Sequence, residues 1–214
     1  SDVCSSDLAL GANTDPYQPV ERELRITRSV LEVLAELNHP VSVVTKSSLV
    51  ERDLDILGPM AAKRLAHVYV SMTTLDPELA RRMEPRAAAP ARRLAVLRAV
   101  SSAGVPVGVL TSPMIPGLND SELERILEAA AENGACSASY ILLRLPLELK
   151  ELFAEWLQEH YPLRAKHVLS LVRDTRGGLL YEPGFDRRMK GSGAYADLLA
   201  QRFDVGSGDF QSGN

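Results

Sequence analysis

Five groups of polar residues each follow a short apolar run: Asn13, Thr14 and Asp15; Thr45, Lys46 and Ser47; Ser71, Thr73 and Thr74; Thr111 and Ser112; and Arg144. Lys46 and Arg144 are cations suited to a carboxylate, while Asn13 and Asp15 can accept from an ammonium group. A site that gathered them would take a zwitterionic or anionic ligand, whether in an enzyme or in a non-catalytic nucleotide- or metabolite-binding α/β module. Each residue taken singly has a plainer account, because strand ends turn polar where loops begin. Lys46 admits a second chemistry. A lysine desolvated at a strand end can form a Schiff base with a carbonyl substrate, although a solvated lysine topping its strand is the simpler account. The remaining candidates read as structural. His39, His67, His160 and His167 show no ligand spacing with Cys136. Trp156 with Phe153 and Leu157 reads as a core stripe, Cys136 as a small core residue, and Arg81 to Arg86, with no interleaved aromatics, as a solvated loop.

Those groups need strands to end where they begin. Leu8 to Gly11 reads as a strand stub, Val41 to Thr45 as a β-branched strand, His67 to Thr73, Val105 to Leu110 and Ser137 to Leu145 as three more. Between them lie helical patterns over Glu21 to Leu37, Asp53 to Leu65, Pro90 to Ala103 and a segment capped by Asn119 or Asp120 that Gly134 ends. Leu147 to His160 and Lys166 to Asp174 are helical after the last strand, and Ser112 to Leu118 is a loop shaped by proline and glycine. Strands alternating with amphipathic helices mean parallel β/α units, hence an α/β fold, as a barrel or an open sheet. A complete eight-unit barrel needs about 250 residues. Five strands predict a partial barrel, whose strand ends converge on one mouth.

Bulk composition narrows the class. A chain of 214 residues with 45% hydrophobic and 24% charged residues is that of one globular domain. No run of eighteen apolar residues is present, so no membrane partner is expected. Two cysteines form neither a disulfide framework nor a metal-ligand spacing, and a reducing, cytoplasmic setting is the expectation. A net charge of -4 argues against a surface that neutralises many phosphates, although it leaves room for a local basic groove. Ser1 to Leu8 lacks apolar periodicity and matches one translated frame of a widely used sequencing adapter. Residues 1–8 are therefore expected to be a scar, with the gene continuing upstream and Cys4 without function. Residues 9–203 form the expected core with a C-terminal helical extension, and 204–214 a disordered tail.

Four segments together carry a resemblance: Asn13 to Glu21 (NTDPYQPVE), Val44 to Ser47, Val70 to Thr74, and Pro113 to Asp120 (PMIPGLND). In that order they resemble the radical S-adenosylmethionine (radical SAM) superfamily. The subgroup they look most like is the bacterial proteins labelled DNA repair photolyases, related to spore photoproduct lyase. Arg144 to Glu148 and the Arg176-Gly177-Gly178 turn resemble the same subgroup.

The resemblance implies a partial (β/α)6 barrel, here with its first strand and cluster loop missing. It implies S-adenosylmethionine as cofactor, a [4Fe-4S] cluster on a Cys-x3-Cys-x2-Cys loop, and a one-electron donor such as flavodoxin or ferredoxin. Cleavage of the sulfonium would give a 5'-deoxyadenosyl radical. By resemblance, Asn13, Thr14 and Asp15 lie at the amino group of S-adenosylmethionine, and Lys46 and Ser71 at its carboxylate or ribose. The Ile115-Pro116-Gly117 backbone lies along the adenine, and Tyr17 and Arg144 border the substrate. The chain departs from the family pattern in having no Cys-x3-Cys-x2-Cys, so this fragment is expected to hold no cluster and to be inactive. Spore photoproduct lyases also carry a cysteine hydrogen donor near the segment matching Asn13 to Asp15. No cysteine stands there in this chain, which with the acidic charge speaks against thymine-dimer repair; the substrate is left unassigned, with nucleic acid a possible partner that the charge does not support.

Overall fold

The computed structural model describes residues 7–181 and 189–210. Its elements in chain order are β1 (Leu8–Leu10), α1 (Glu21–Leu24), α2 (Ile26–Glu36), β2 (Val41–Thr45), α3 (Leu54–Ala62), β3 (Ala66–Ser71), α4 (Pro77–Met83), α5 (Pro90–Ser102), β4 (Val107–Met114), α6 (Leu123–Glu132), β5 (Ser137–Leu142), α7 (Leu149–His160), α8 (Pro162–Asp174) and α9 (Ala194–Gly206). The five strands form one parallel sheet in the order β1-β2-β3-β4-β5. Right-handed crossovers between sequential neighbours put every connecting helix on the same face. The sheet is therefore a barrel segment rather than a doubly wound sheet, as the five-strand pattern predicts.

The helix-covered face holds the main core. Val43, Val68, Val70 and Val109 from the strands meet Leu31, Leu57, Leu97 and Ile126 from the helices, and none exceeds 1% exposure. Each such side chain contributes roughly 1.5–3 kcal/mol by leaving water. A second cluster lies at the C-terminal end of β4 and β5, where Ile115 and Leu118 pack with Leu79 of α4, Leu157 of α7 and Val168 of α8. The α7–α8 hairpin thus covers part of the edge on which the polar strand ends stand.

Several elements differ from the sequence pattern for local reasons. The helix expected over Glu21 to Leu37 breaks at Arg25, which takes a left-handed φ of 51°. The Glu21 carboxylate then accepts from the Thr27 and Arg28 amides and so satisfies the N-terminus of α2. α4 falls where a loop was expected. Its signal is present as Asp76-Pro77-Glu78: Asp76 accepts from the Glu78 amide, and Pro77 stands at the first helical position. α9 runs on to Gly206, past the start of the expected tail at 204, because Ala196 and Leu199 bury against the main core. Residues 211–214 lie outside the described residues, as does Cys4. Leu8, placed in the expected scar, pairs with Val41 in the sheet. Cys136 is exposed rather than core.

Gly11 fixes how the chain leaves β1. Its φ is +99°, and a Cβ there would lie 2.1 Å from the Val44 carbonyl oxygen. Gly11→Ala is expected to push β1 off β2 and to cost more than about 2 kcal/mol in urea denaturation, from the positive φ and the clash together. A loss within measurement error would show that β1 does not depend on this close approach.

Candidate functional site

The loop from Gly11 to Val20 opens the C-terminal edge of the sheet and is held mainly by Asp15. Asp15 Oδ1 accepts from Tyr17 N at 2.9 Å and from Thr45 Oγ1 at 2.7 Å, and Oδ2 accepts from Lys46 N at 2.7 Å. Three donors thus engage the carboxylate that was expected to receive an ammonium ion. The reason is local: turn amides at a strand end need acceptors, and an ionised carboxylate supplies several. Asp15 is a lock between the β1 and β2 loops. Asn13 and Thr14 are exposed at the same edge.

Tyr17 turns inward and does not border a substrate space with its hydroxyl. The ring is 3% exposed, since an aromatic ring buries a large apolar area. Burial, and then the neighbouring Asp53 carboxylate, push its pKa up. Beneath it lies a charge cluster. Arg52 grips Asp53 with Nε to Oδ1 at 2.8 Å and Nη2 to Oδ2 at 2.8 Å, and Arg28 Nη1 reaches Asp53 Oδ1 at 3.0 Å. Arg52 Nη2 also donates to Glu21 Oε1 at 2.8 Å. Burial would raise the Glu21 carboxyl, but the Arg52 hydrogen bond and the two α2 amides outweigh it and hold it below its ordinary value. Thr27 Oγ1 donates to Pro16 O at 2.5 Å and pins the loop to α2.

Lys46 follows β2 directly. Its ammonium contacts Glu84 Oε1, and its side chain is 39% exposed. Glu84 Oε2 accepts from Arg93 Nη2 at 2.6 Å and from Thr73 Oγ1 at 3.3 Å. Arg93 is buried in α5 and donates further to Ser71 O at 3.0 Å and Ala88 O at 2.8 Å. Burial alone would raise the Glu84 carboxyl; the charges of Arg93 and Lys46 outweigh it and keep it below its ordinary value. Schiff-base chemistry uses a lysine desolvated in an apolar pocket, whereas Lys46 is ion-paired and partly exposed. Ser71 is 3% exposed, and its hydroxyl donates to Ser112 O at 3.3 Å, so it is turned into the fold instead of towards a ligand.

The Ile115-Pro116-Gly117 loop does not present free amides. Ile115 N donates to Asn119 Oδ1 at 2.7 Å and Gly117 N to Asp120 Oδ1 at 2.9 Å. Ile115 is fully buried, and a Cβ on Gly117 would meet Leu171 and His167 of α8. The α7–α8 hairpin covers the backbone expected along the adenine. Asn119, anticipated as a helix cap, instead ties the β3 and β4 loops through Thr73 O at 2.8 Å and Pro113 O at 3.0 Å. Tyr195 of α9 donates to Asp120 Oδ2, and burial followed by that carboxylate pushes its hydroxyl up to about 12. Arg176 is likewise structural, with Nη2 bound to the carbonyls of Leu142 and Leu143 at the end of β5.

Two of the cavities hold candidate residues. One, of about 390 Å³, brings Asp15, Tyr17 and Lys46 together with Arg22, Ser48 and Arg86. Arg144 lies elsewhere, in an apolar groove of about 280 Å³ with Leu149, Leu152, Phe153 and Trp156. The Phe153 and Trp156 rings stack there at 5.9 Å and pack, half-buried, against the second core cluster, of which Leu157 is a fully buried member. Glu84, Arg93, Asn119 and Asp53 were not anticipated as site-building residues. The only available signal was a charged residue on an otherwise apolar helix face, as for Arg93 beside Leu94 and Leu97.

Comparisons with known proteins show the family and the fold. Residues 6–130 match the family model described as the Radical SAM superfamily. An uncharacterized protein of Mycobacterium tuberculosis is 34% identical over 168 residues, covering 78% of this chain and 49% of that protein. An uncharacterized protein of Methanocaldococcus jannaschii is 26% identical over 151 residues, covering 70% and 54%. The chain spans about half the length of the curated relatives it matches. Among solved structures, a spore photoproduct lyase mutant is similar with a TM-score of 0.62 at 17% identity, over 94% of this chain and 58% of that one. Another form, with bound AdoMet and dinucleoside spore photoproduct, gives 0.52 at 16% identity, over 73% and 46%. At those identities the likeness is one of fold.

Proposed function

Because the chain belongs to the radical SAM superfamily, we propose that it forms the S-adenosylmethionine-binding part of a radical SAM enzyme, with its active edge at the C-terminal ends of β1 and β2. The observation that carries this is Lys46: a partly exposed cation, held by Glu84, on the cavity that the β1 loop also lines. Lys46 would hold the methionine carboxylate, and the exposed Asn13 and Thr14 would accept from its ammonium group. Asp15 and Glu84 position those groups. The adenine finds no free amide on the Ile115–Gly117 loop, so its binding there requires the α8 contacts to open.

The family's cofactor supplies a 5'-deoxyadenosyl radical for hydrogen abstraction when a [4Fe-4S] cluster and a one-electron donor such as flavodoxin or ferredoxin are present. The chain's residues do not fit that cluster. It has two cysteines, and Cys136 sits before β5, at the end of the strand opposite the mouth. Among the described residues no group of three His, Cys, Asp or Glu side chains is arranged to hold a metal ion. In our reading the cluster thiolates are supplied by sequence outside these 214 residues, and the chain by itself is inactive. The substrate is unassigned; a photoproduct-lyase-like reaction is a reading by analogy of fold alone, against which the missing cysteine near Asn13 to Asp15 and the acidic charge speak. No described helix is long and apolar enough to cross a membrane.

The test is recovery of the complete gene, followed by anaerobic iron and sulfide analysis of its product. A Cys-x3-Cys-x2-Cys motif and about four irons per chain are expected, as for thiolate-held clusters. A product without the motif and without iron would overturn the assignment.

A further inference from the structure

The 390 Å³ cavity carries more positive charge than a methionine carboxylate needs. Arg22 of α1 and Arg86, after α4, line it together with Lys46. Both arginines are exposed, and neither guanidinium has a hydrogen-bond or ion-pair partner among the described residues. The acids nearby are already taken. Asp15 accepts three hydrogen bonds, and Glu84 lies between Lys46 and Arg93. The chain as a whole is acidic, at -4, so two unpaired cations around one cavity are not a share of a general positive surface. Like charges held around a confined space repel each other until an anion enters it. Ser48 and Gln18 add neutral hydrogen-bonding groups on the same wall. The volume lies in the range of small-ligand sites.

We propose that Arg22 and Arg86 bind a phosphate group of the substrate, beside the edge where Lys46 stands. Guanidinium groups match phosphate oxygens in pairs, and two of them suit an oxyanion carrying more charge than a carboxylate. The phosphate is that of a polynucleotide backbone or of a small phosphorylated metabolite. As a statement about substrate, the proposal rests on the radical SAM reading; as a binding site, it belongs to this chain alone.

The test uses the 214-residue chain, titrated by calorimetry with inorganic pyrophosphate and with a short oligodeoxythymidylate, and its Arg22→Gln, Arg86→Gln and doubly substituted variants. Both side chains are exposed and unpartnered, so the variants are expected to keep the wild-type circular dichroism spectrum. At least one probe should bind, and each substitution should weaken it roughly tenfold, the size of a charge-assisted hydrogen bond. Oligonucleotide binding that loses about 0.7 of its logarithmic salt slope per arginine identifies a polynucleotide; pyrophosphate binding alone identifies a small phosphorylated ligand. Binding of neither probe, or binding undiminished in the double variant, overturns the proposal. S-adenosylmethionine is titrated separately. If it fails to bind while the phosphate probe still binds, the failure belongs to the cofactor reading and not to this one.

Discussion

Asp53→Ala is expected to destabilise the protein by about 3–5 kcal/mol, the usual cost of removing one partner from a buried ion pair. Asp53 is fully buried and takes three guanidinium hydrogen bonds, from Arg52 and Arg28. Without it Arg52 stays beneath Tyr17 with only Glu21 to oppose its charge. At this chain length each kcal/mol moves the melting temperature by roughly 2–4 °C, so a fall of about 10 °C is the expected reading in a thermal scan. The control is Asp55→Ala. Asp55 makes two hydrogen bonds to Arg28, yet its side chain is 59% exposed. An exposed pair of that kind contributes about 1 kcal/mol or less. Equal losses in the two variants would mean that the cluster under Tyr17 is open to water and does not brace the β1 loop.

The second large effect falls on Glu84. Glu84→Ala leaves Arg93, whose side chain is 3% exposed, without a carboxylate, and frees Lys46 into the cavity. About 3 kcal/mol of stability should be lost through Arg93. Lys46→Met should lose under about 1 kcal/mol, because Lys46 is the solvent-screened member of the trio. The same pair of variants separates structure from ligand binding. The proposed contact of Lys46 with the carboxylate of S-adenosylmethionine should be lost in Lys46→Met while the fold stays intact. The pH dependence has a definite sign. The Glu84 carboxyl is held below its ordinary value of 4.5, so its contribution is complete above that value and is lost as pH falls through the lowered one. Glu21 adds in the same direction. Denaturant titrations of wild type and Glu84→Ala should therefore converge as the solution is acidified. A gap that stays constant from neutral pH down to about 3 would sink the claim that Glu84 is ionised in its pair.

The two predictions differ in how visible their residues are in the sequence. Nothing in Val50 to Leu54 marks Asp53 as buried, because its burial depends on Arg28, which lies in another helix. Glu84 sits in a run of arginines that reads as a solvated loop. Its role appears only when α5 brings Arg93 and β2 brings Lys46 to the same point. The apolar groove around Arg144 has the same origin, since α7 carries Phe153 and Trp156 across to the end of β5.

The sequence by itself determined the α/β class, the five strands, the edge of the sheet at which polar residues gather, and the motif order that places the chain in its family. The class, the strands and the edge follow from period-two and helical hydrophobic patterns and from glycine and proline at turns, all local properties of the chain, whereas the family rests on the resemblance of the ordered segments. Tertiary structure decided which polar residues face the opening. Asp15, Ser71 and Tyr17 were candidates for ligand contact, yet Asp15 and Ser71 bond to amides and a carbonyl of neighbouring segments and the Tyr17 ring is buried. A buried polar group must find a partner, and which partner is within reach depends on residues tens of positions away. Lys46 was legible as a cation at a strand end. That it shares Glu84 with Arg93, and that the Ile115–Gly117 loop lies beneath α8, were settled only when those elements packed.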